Sequence, residues 1–177
     1  TPIKSSAASD VYKRQTKPVF RSRLVYKLKQ FIGGAAEENL EAGPLIGGSY
    51  EGRRILLAED NALNREIAVE ILSETGVAID TAENGQIAVD MVKNTPTGTY
   101  DLIFMDIQMP VMDGCTAAKQ IRALPREDTK TLPIIAMTAN AFADDRQKTK
   151  DAGMNGHLAK PLDLEQLRRV LEKWLSK

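Results

Sequence analysis

Five short runs of mostly apolar residues, separated by segments long enough for helices, constrain the fold of this chain more than any other feature. Three runs, at residues 54–58, 100–105 and 133–137, are almost wholly apolar. The run at residues 77–82 alternates apolar with polar residues, and the run at residues 156–159 is short. Apolar strands of this kind are typical of parallel sheets covered on both faces, whereas alternating or short strands are typical of edges. The sequence therefore predicts a doubly wound α/β domain.

The segments between these runs predict helices on both faces of the sheet. They span about residues 66–75, 85–93, 115–123, 143–152 and 164–175, and a glycine follows the first and the fourth. The fourth is rich in charged residues. Right-handed crossovers, with the alternating and the short strand placed at the edges, favour the strand order 2-1-3-4-5 of flavodoxin-like folds. In that order strands 1 and 3 are neighbours.

Polar residues stand at the carboxyl ends of four predicted strands. Glu59 and Asp60 follow strand 1, Asp106 follows strand 3, Thr138 follows strand 4 and Lys160 follows strand 5. Parallel strands end at one edge of the sheet, where open α/β sheets bind ligands, so we expect these side chains to lie together. Three crowded carboxylates need a counter-charge, and Mg²⁺ prefers oxygen ligands. The pattern predicts a magnesium site.

Asp106 is the best candidate nucleophile because its strand is central in the predicted sheet. An aspartate can accept a phosphoryl group as an acyl phosphate. The ammonium of Lys160 would offset charge on the transferring oxygens, and the hydroxyl of Thr138 would donate a hydrogen bond to one of them. Each carboxylate alone is compatible with an ordinary solvated residue. Their joint placement with Thr138 and Lys160 indicates phosphoryl chemistry.

These residues stand in motifs that resemble the response-regulator receiver domain of two-component signalling. The motifs are Glu-Asp-Asn at 59–61, Met-Asp-Ile-Gln-Met-Pro at 105–110, Met-Asp-Gly at 112–114, Met-Thr-Ala at 137–139 and Lys-Pro at 160–161. The match covers residues 53–177 and defines the predicted receiver domain. The resemblance implies that Asp106 is the phosphoacceptor. It also implies a magnesium site formed by Glu59, Asp60, Asp106 and the backbone carbonyl of Gln108.

The same resemblance implies roles for residues near the ends of strands 4 and 5. Lys160 would form a salt bridge with the phosphoryl group, and Thr138 would be the switch hydroxyl. The bond from Lys160 to Pro161 is often cis in the family. The strand-5 position that is usually aromatic is His157 here. His157 is either a half-buried edge residue without a special role or a switch residue whose rotamer follows Thr138.

The chain is also similar to the C-terminal part of a hybrid sensor histidine kinase. This similarity implies a histidine kinase core in cis, a histidine phosphotransfer domain as a further partner, and a cytoplasmic location with the parent anchored through another part. The 24 basic and 24 acidic residues give a net charge of +0, and no apolar stretch approaches about 18 residues. We therefore expect neither direct DNA binding nor membrane contact by this chain.

Three segments precede the receiver-like region. Residues 1–15 have few apolar residues and no period, which predicts disorder; part of this segment resembles a translated sequencing adapter and would then not be native protein. Residues 16–32 share the Lys-Pro start and the leucine spacing of residues 160–175. We interpret them as the terminal helix of a preceding receiver-like module. Residues 33–52 are rich in glycine, and we expect a flexible linker.

Other functions are compatible with part of this pattern. A haloacid-dehalogenase-like phosphohydrolase also uses a strand-end aspartate, a threonine, a lysine and magnesium. It needs a second aspartate where this chain has Gln108, and its acidic pair comes late in the chain. A non-catalytic interaction module would usually lack some of the five polar residues. A dinucleotide-binding fold needs a glycine-rich loop in place of residues 59–64. The receiver resemblance implies only self-phosphorylation and dephosphorylation chemistry for this chain, and its parent would be a hybrid histidine protein kinase.

Overall fold

A parallel five-stranded sheet is the centre of the computed structural model, which describes residues 46–139 and 143–176 (backbone only for 143–145). The strands are β1 Arg54–Ala58, β2 Ala78–Ala82, β3 Leu102–Asp106, β4 Ile134–Thr138 and β5 Gly156–Ala159. Their order is β2-β1-β3-β4-β5, and every neighbouring pair is parallel. The predicted fold class and strand order are confirmed.

Six helices connect or follow the strands in the described part of the chain. They are α1 Ala62–Ser73, α2 Gly85–Asn94, α3 Gly114–Ala123, α4 Asp128–Thr131, α5 Ala143–Asp151 and α6 Leu164–Leu175. The sequence did not predict α4, because a single turn is too short to show a period. None of the helices among the described residues has the length and apolar character needed to cross a membrane.

Short polar side chains fix where several helices begin. The side chain of Asn61 accepts hydrogen bonds from the backbone N–H groups of Leu63 and Asn64. Asn84, Asp113 and Asp163 cap α2, α3 and α6 in the same way. Such caps satisfy N–H groups that have no partner within the helix. The cap at Asn61 also explains why α1 begins at Ala62, earlier than the predicted start at residue 66.

The burial of the strands follows their positions in the sheet. Every residue of β3 and β4 is buried, and so is β1 after Arg54. β2 and β5 are mostly half-buried, as predicted for edge strands. The paired registers place Ala58 opposite Met105, and Asp106 opposite Met137. The carboxyl ends of β1, β3 and β4 therefore lie side by side, which is the condition for a common site.

The residues just before β1 contact the domain. Ile46 and Tyr50 are buried, and the backbone N–H of Tyr50 donates to the carbonyl of Thr75 at 2.7 Å. Both residues belong to the segment predicted to be a linker. The predicted disordered segment, the predicted remnant helix and residues 33–45 of the predicted linker lie outside the described residues.

Candidate functional site

An acidic cluster lies where β1 and β3 end beside each other. Glu59 and Asp60 directly follow β1, and Asp106 is the last residue of β3. One carboxylate oxygen from each of the three residues lies within 4.8 Å of the other two. Glu59 and Asp106 are only 2% and 5% exposed, whereas Asp60 is exposed. The site thus has two buried carboxylates and one that is exposed to solvent.

The ammonium of Lys160 lies between the two buried carboxylates. Its Nζ atom is 2.6 Å from Oδ2 of Asp106 and 2.5 Å from Oε2 of Glu59. Burial lowers the pKa of Lys160, but the hydrogen bonds and negative charges of Asp106 and Glu59 outweigh it, so the pKa lies above its usual value of 10.5. Lys160 is therefore positively charged at neutral pH.

Burial raises the pKa of Asp106 above its usual value of 3.8. The negative charge of Glu59 raises this pKa further, while the hydrogen bonds from Lys160 and from the backbone N–H of Gln108 lower it. The charged carboxylate is thus held in an environment that does not fully compensate it. Removing a carboxylate from water makes its charge costly, and an additional cation would reduce that cost.

The three carboxylates (−3) and the Lys160 ammonium (+1) give these four side chains a formal charge of −2. A divalent cation would neutralise it. Mg²⁺ binds oxygen at about 2.1 Å, so two oxygens of one ion stand at most about 4.2 Å apart. The carboxylate oxygens of Glu59, Asp60 and Asp106 lie within 4.8 Å of one another, which is slightly more than this value. The number and type of the donors therefore fit magnesium, and their spacing requires only a small approach to a common ion.

The loop after β3 contacts the Asp106 carboxylate and is itself bonded to the start of α3. The backbone N–H of Gln108 donates to Oδ1 of Asp106 at 3.2 Å, and that of Gly114 donates to the carbonyl of Ile107 at 3.0 Å. A Cβ atom on Gly114 would lie 2.1 Å from the carbonyl oxygen of Asp106. Only glycine therefore permits α3 to begin so close to the end of β3.

The loop after β1 has a second group of contacts that the sequence did not predict. The guanidinium of Arg65 donates to the carbonyl of Glu59 at 2.7 Å and to that of Asp60 at 3.3 Å. The side-chain amide of Asn64 donates to Oε1 of Glu59 at 3.2 Å. The only sequence signal was their position, in the first turn of a helix that begins just after the acidic pair.

Thr138 and His157 lie on β4 and β5. Thr138 is buried at the carboxyl end of β4, and its carbonyl accepts a hydrogen bond from the backbone N–H of Lys160 at 2.7 Å. His157 is half-buried and pairs with Ala136, earlier along the strands. Burial, and then the charge of Arg146, lowers the pKa of His157. The Lys160–Pro161 peptide bond is cis, as the resemblance predicted.

Comparison with known proteins connects this geometry to a family. The family model described as the response regulator receiver domain matches residues 55–172. The sensor protein GacS of Pseudomonas syringae pv. syringae is 35% identical over 170 residues, which are 95% of this chain and 18% of that protein. Hybrid signal transduction histidine kinase M of Dictyostelium discoideum is 42% identical over 120 residues, 67% of this chain and 5% of that protein. The chain thus spans less than a fifth of either relative.

Solved structures give the same result for the fold. The receiver domain of sensor histidine kinase PA1611 from Pseudomonas aeruginosa PAO1, with magnesium coordinated in the active site cleft, is 39% identical with a TM-score of 0.64. The alignment covers 71% of this chain and 99% of that one. A chain in the co-crystal structure of the Saccharomyces cerevisiae phosphotransfer protein Ypd1 with the Ssk1 receiver domain is 33% identical, with a TM-score of 0.65. That alignment covers 72% of this chain and 91% of the other.

Proposed function

We propose, because the chain belongs to the response regulator receiver domain family, that Asp106 accepts a phosphoryl group from a phosphohistidine. The chain is a receiver domain of two-component signalling, and this proposal assigns its chemistry to named residues. The main observation that supports this assignment is the position of Asp106. Its buried carboxylate lies 2.6 Å from Lys160 and shares an oxygen cluster with Glu59 and Asp60.

The transfer exchanges one bond to phosphorus for another. An oxygen of Asp106 attacks the phosphorus atom, the new O–P bond forms, and the P–N bond to the donor imidazole breaks with its electron pair left on nitrogen. The Lys160 ammonium, already against the Asp106 carboxylate, offsets charge on the incoming phosphoryl oxygens. The hydroxyl of Thr138, at the end of the neighbouring strand, donates to one of those oxygens.

Magnesium belongs to this proposal as the cation that completes the site. Glu59, Asp60, Asp106 and the backbone carbonyl of Gln108 would hold it. When bound, the ion supplies positive charge that brings the phosphoryl oxygens and the carboxylates together. The formal charge of −2 and the cluster of three carboxylates at this edge of the sheet support the assignment, as does the magnesium ion in the PA1611 receiver domain.

The partners are proposed from the same family relationship. We assign a histidine kinase core in cis, because GacS is a sensor protein and kinase M is a hybrid histidine kinase. A histidine phosphotransfer domain is the second partner, supported by the co-crystal of Ypd1 with a receiver domain. We further propose a cytoplasmic location without direct contact with DNA or membrane. Residues 16–32 remain proposed as a module remnant. Residues 33–52 remain proposed as a linker whose last residues, from Ile46 on, pack against the domain.

Labelling with a small phosphoryl donor tests the assignment of Asp106. Incubation with acetyl phosphate and magnesium should phosphorylate one residue, and Asp106→Asn should remove the label. Asp90→Asn, at an exposed position on α2, is the matched control and should keep it. Full labelling of the Asp106→Asn variant would show that another residue is the acceptor. Turnover of para-nitrophenyl phosphate would instead favour the haloacid-dehalogenase-like alternative.

A further inference from the structure

We propose that Asn64 and Arg65 are positioning residues that hold Glu59 and the loop after β1 in the geometry required for magnesium binding. The inference rests on the proposed magnesium site and assigns it two residues beyond the carboxylates. Neither side chain would touch the ion. Both act on Glu59, from the first turn of α1.

Arg65 holds the backbone of the loop. Its side chain is 17% exposed, and its Nη1 donates to the carbonyls of Glu59 at 2.7 Å and Asp60 at 3.3 Å. The remaining ion pair, Nη2 with Glu83 at 3.2 Å, involves a carboxylate that is 70% exposed. Exposed ion pairs contribute little to stability. The main interactions of the largely buried Arg65 guanidinium are therefore its hydrogen bonds to the carbonyls of Glu59 and Asp60, which fix the backbone of these two residues.

Asn64 holds the carboxylate itself. Its amide donates to Oε1 of Glu59 at 3.2 Å, while Lys160 contacts Oε2 at 2.5 Å. A glutamate has one more rotatable bond than an aspartate, so a fixed carboxylate orientation loses more conformational freedom and needs partners on both oxygens. Groups that orient metal ligands in this way typically change metal affinity when they are removed.

Helix capping does not account for these two residues. Asn61 already accepts hydrogen bonds from the first-turn N–H groups of α1. Asn64 is exposed overall, so its contact with the buried Glu59 is directed inward from the surface of the helix. Replacing Asn64 therefore removes the contact with Glu59 without removing a core side chain.

The charge of Arg65 allows positioning to be separated from simple electrostatics. A cationic group near a metal site repels the ion, so loss of its charge alone would strengthen magnesium binding. Loss of its positioning contacts would weaken magnesium binding. The two explanations therefore predict opposite signs for the effect of Arg65→Ala on the magnesium dissociation constant.

Calorimetric titration of the full chain with Mg²⁺ is the direct test. Arg65→Ala and Asn64→Ala should each raise the dissociation constant by about 10-fold, the lower end of the effect usual for groups that orient metal ligands. Arg65→Lys should lie between Arg65→Ala and the parent. Arg169→Ala and Asn94→Ala, both at exposed helix positions, are the matched controls and should leave the dissociation constant unchanged. Amide exchange in EDTA should be faster at residues 59–61 in Arg65→Ala.

Two results separate this inference from the site on which it rests. If Asp60→Ala abolishes magnesium binding but Arg65→Ala leaves it unchanged or stronger, the positioning role is wrong and the site stands. If the parent chain binds no magnesium, the proposed site itself is wrong. Urea unfolding in EDTA shows whether each variant is folded. If Arg65→Ala does not fold, Asn64→Ala and Arg65→Lys decide the question.

Discussion

Lys160 determines how much the buried charges of the site cost the folded chain. It is the cation in direct contact with both Asp106 and Glu59. A buried ion pair contributes little net stability, but removing one partner destabilises the folded state strongly, because the remaining buried charge then has no partner. A phosphoryl group on Asp106 would replace one carboxylate partner of Lys160 with phosphoryl oxygens. We therefore expect Lys160 to link the phosphorylation state to the position of the end of β5.

The raised pKa of Asp106 predicts how stability depends on pH. The folded state binds the Asp106 proton more tightly than the unfolded chain, mainly because burial disfavours the charged form. The charged carboxylate thus reduces stability above its folded-state pKa, and this cost disappears as the pH falls toward 3.8, the ordinary value. Lys160 keeps Glu59 as a charged partner when Asp106 is replaced. In EDTA, Asp106→Asn should therefore be more stable than the parent near neutral pH, with a smaller difference near about pH 4.

Urea unfolding at several pH values measures this difference. Asp90→Asn controls for the loss of one negative charge at an exposed position. A lower stability of Asp106→Asn at neutral pH would mean that Lys160 compensates the carboxylate fully. Glu59 also faces Asp106, so the measurement reports the response of the whole cluster.

The junction between β3 and α3 depends on the absence of a side chain at Gly114. A Cβ atom there would lie 2.1 Å from the Asp106 carbonyl oxygen and 2.9 Å from Cγ of Met105. Because the first contact is with backbone, the strand end or the helix start must move. Gly114→Ala should destabilise the chain by about 3 kcal/mol, at the upper end of common single substitutions, and slow labelling of Asp106.

Gly47→Ala is the matched control for this substitution. A Cβ atom on Gly47 would have no neighbour within 4 Å, and Gly47 has no positive φ. Its unfolding free energy should stay within about 0.5 kcal/mol of the parent. Similar stabilities for the two variants in urea unfolding would show that the β3–α3 junction relaxes easily.

The described side chains of helix α5, from Arg146 to Asp151, make it a candidate for movement. Among the side chains described from Arg146 to Asp151, only Thr149 is buried. Thr138 ends the strand before α5, and Lys160 follows the strand after it. We therefore expect phosphorylation to shift α5, β5 and α6 between two arrangements, because both residues would contact the phosphoryl group.

Amide exchange with and without beryllofluoride, an acyl-phosphate mimic, tests this coupling. Exchange rates should change between residues 138 and 165. Thr138→Ala should reduce that change while leaving Asp106 labelling mostly intact, and Thr131→Ala at an exposed position is the control. Changes confined to residues 61–100 would refute the coupling. A change in the His157 side-chain rotamer on adding beryllofluoride, followed by NMR, distinguishes a switch residue from a static edge residue.

Elements with a strong period, or with a polar residue at a strand end, were predictable from the sequence. β5 and α6 have the predicted bounds, and the acidic residues converge because parallel strands end at one edge. The single turn α4 has no period to detect. The contacts of Arg65 with two backbone carbonyls could not be predicted, because they depend on the path of the loop rather than on residue type.

At the scale of the whole molecule, the boundary between the domain and its upstream residues is the feature that deletion can test. Ile46 and Tyr50 are buried, and Tyr50 is bonded to Thr75 before β2. Because the strands are parallel, this contact lies near their amino ends, away from the carboxylates at the carboxyl ends. Residues 46–52 should therefore contribute to stability without contributing to magnesium binding.

Two truncated chains, beginning at residue 46 and at residue 53, separate these contributions. Both should bind magnesium with the affinity of the full chain, because Glu59 and all other proposed ligands are retained. The shorter chain should be less stable by about 3 kcal/mol, since burying a large apolar side chain contributes about 1.5–3 kcal/mol and two such residues are lost, with partial compensation by relaxation. Ile46→Ala in the longer chain should show part of this loss. Equal unfolding free energies for the two truncated chains would instead mean that residues 46–52 behave as the linker that their composition predicts, and that their burial contributes nothing to the stability of the domain.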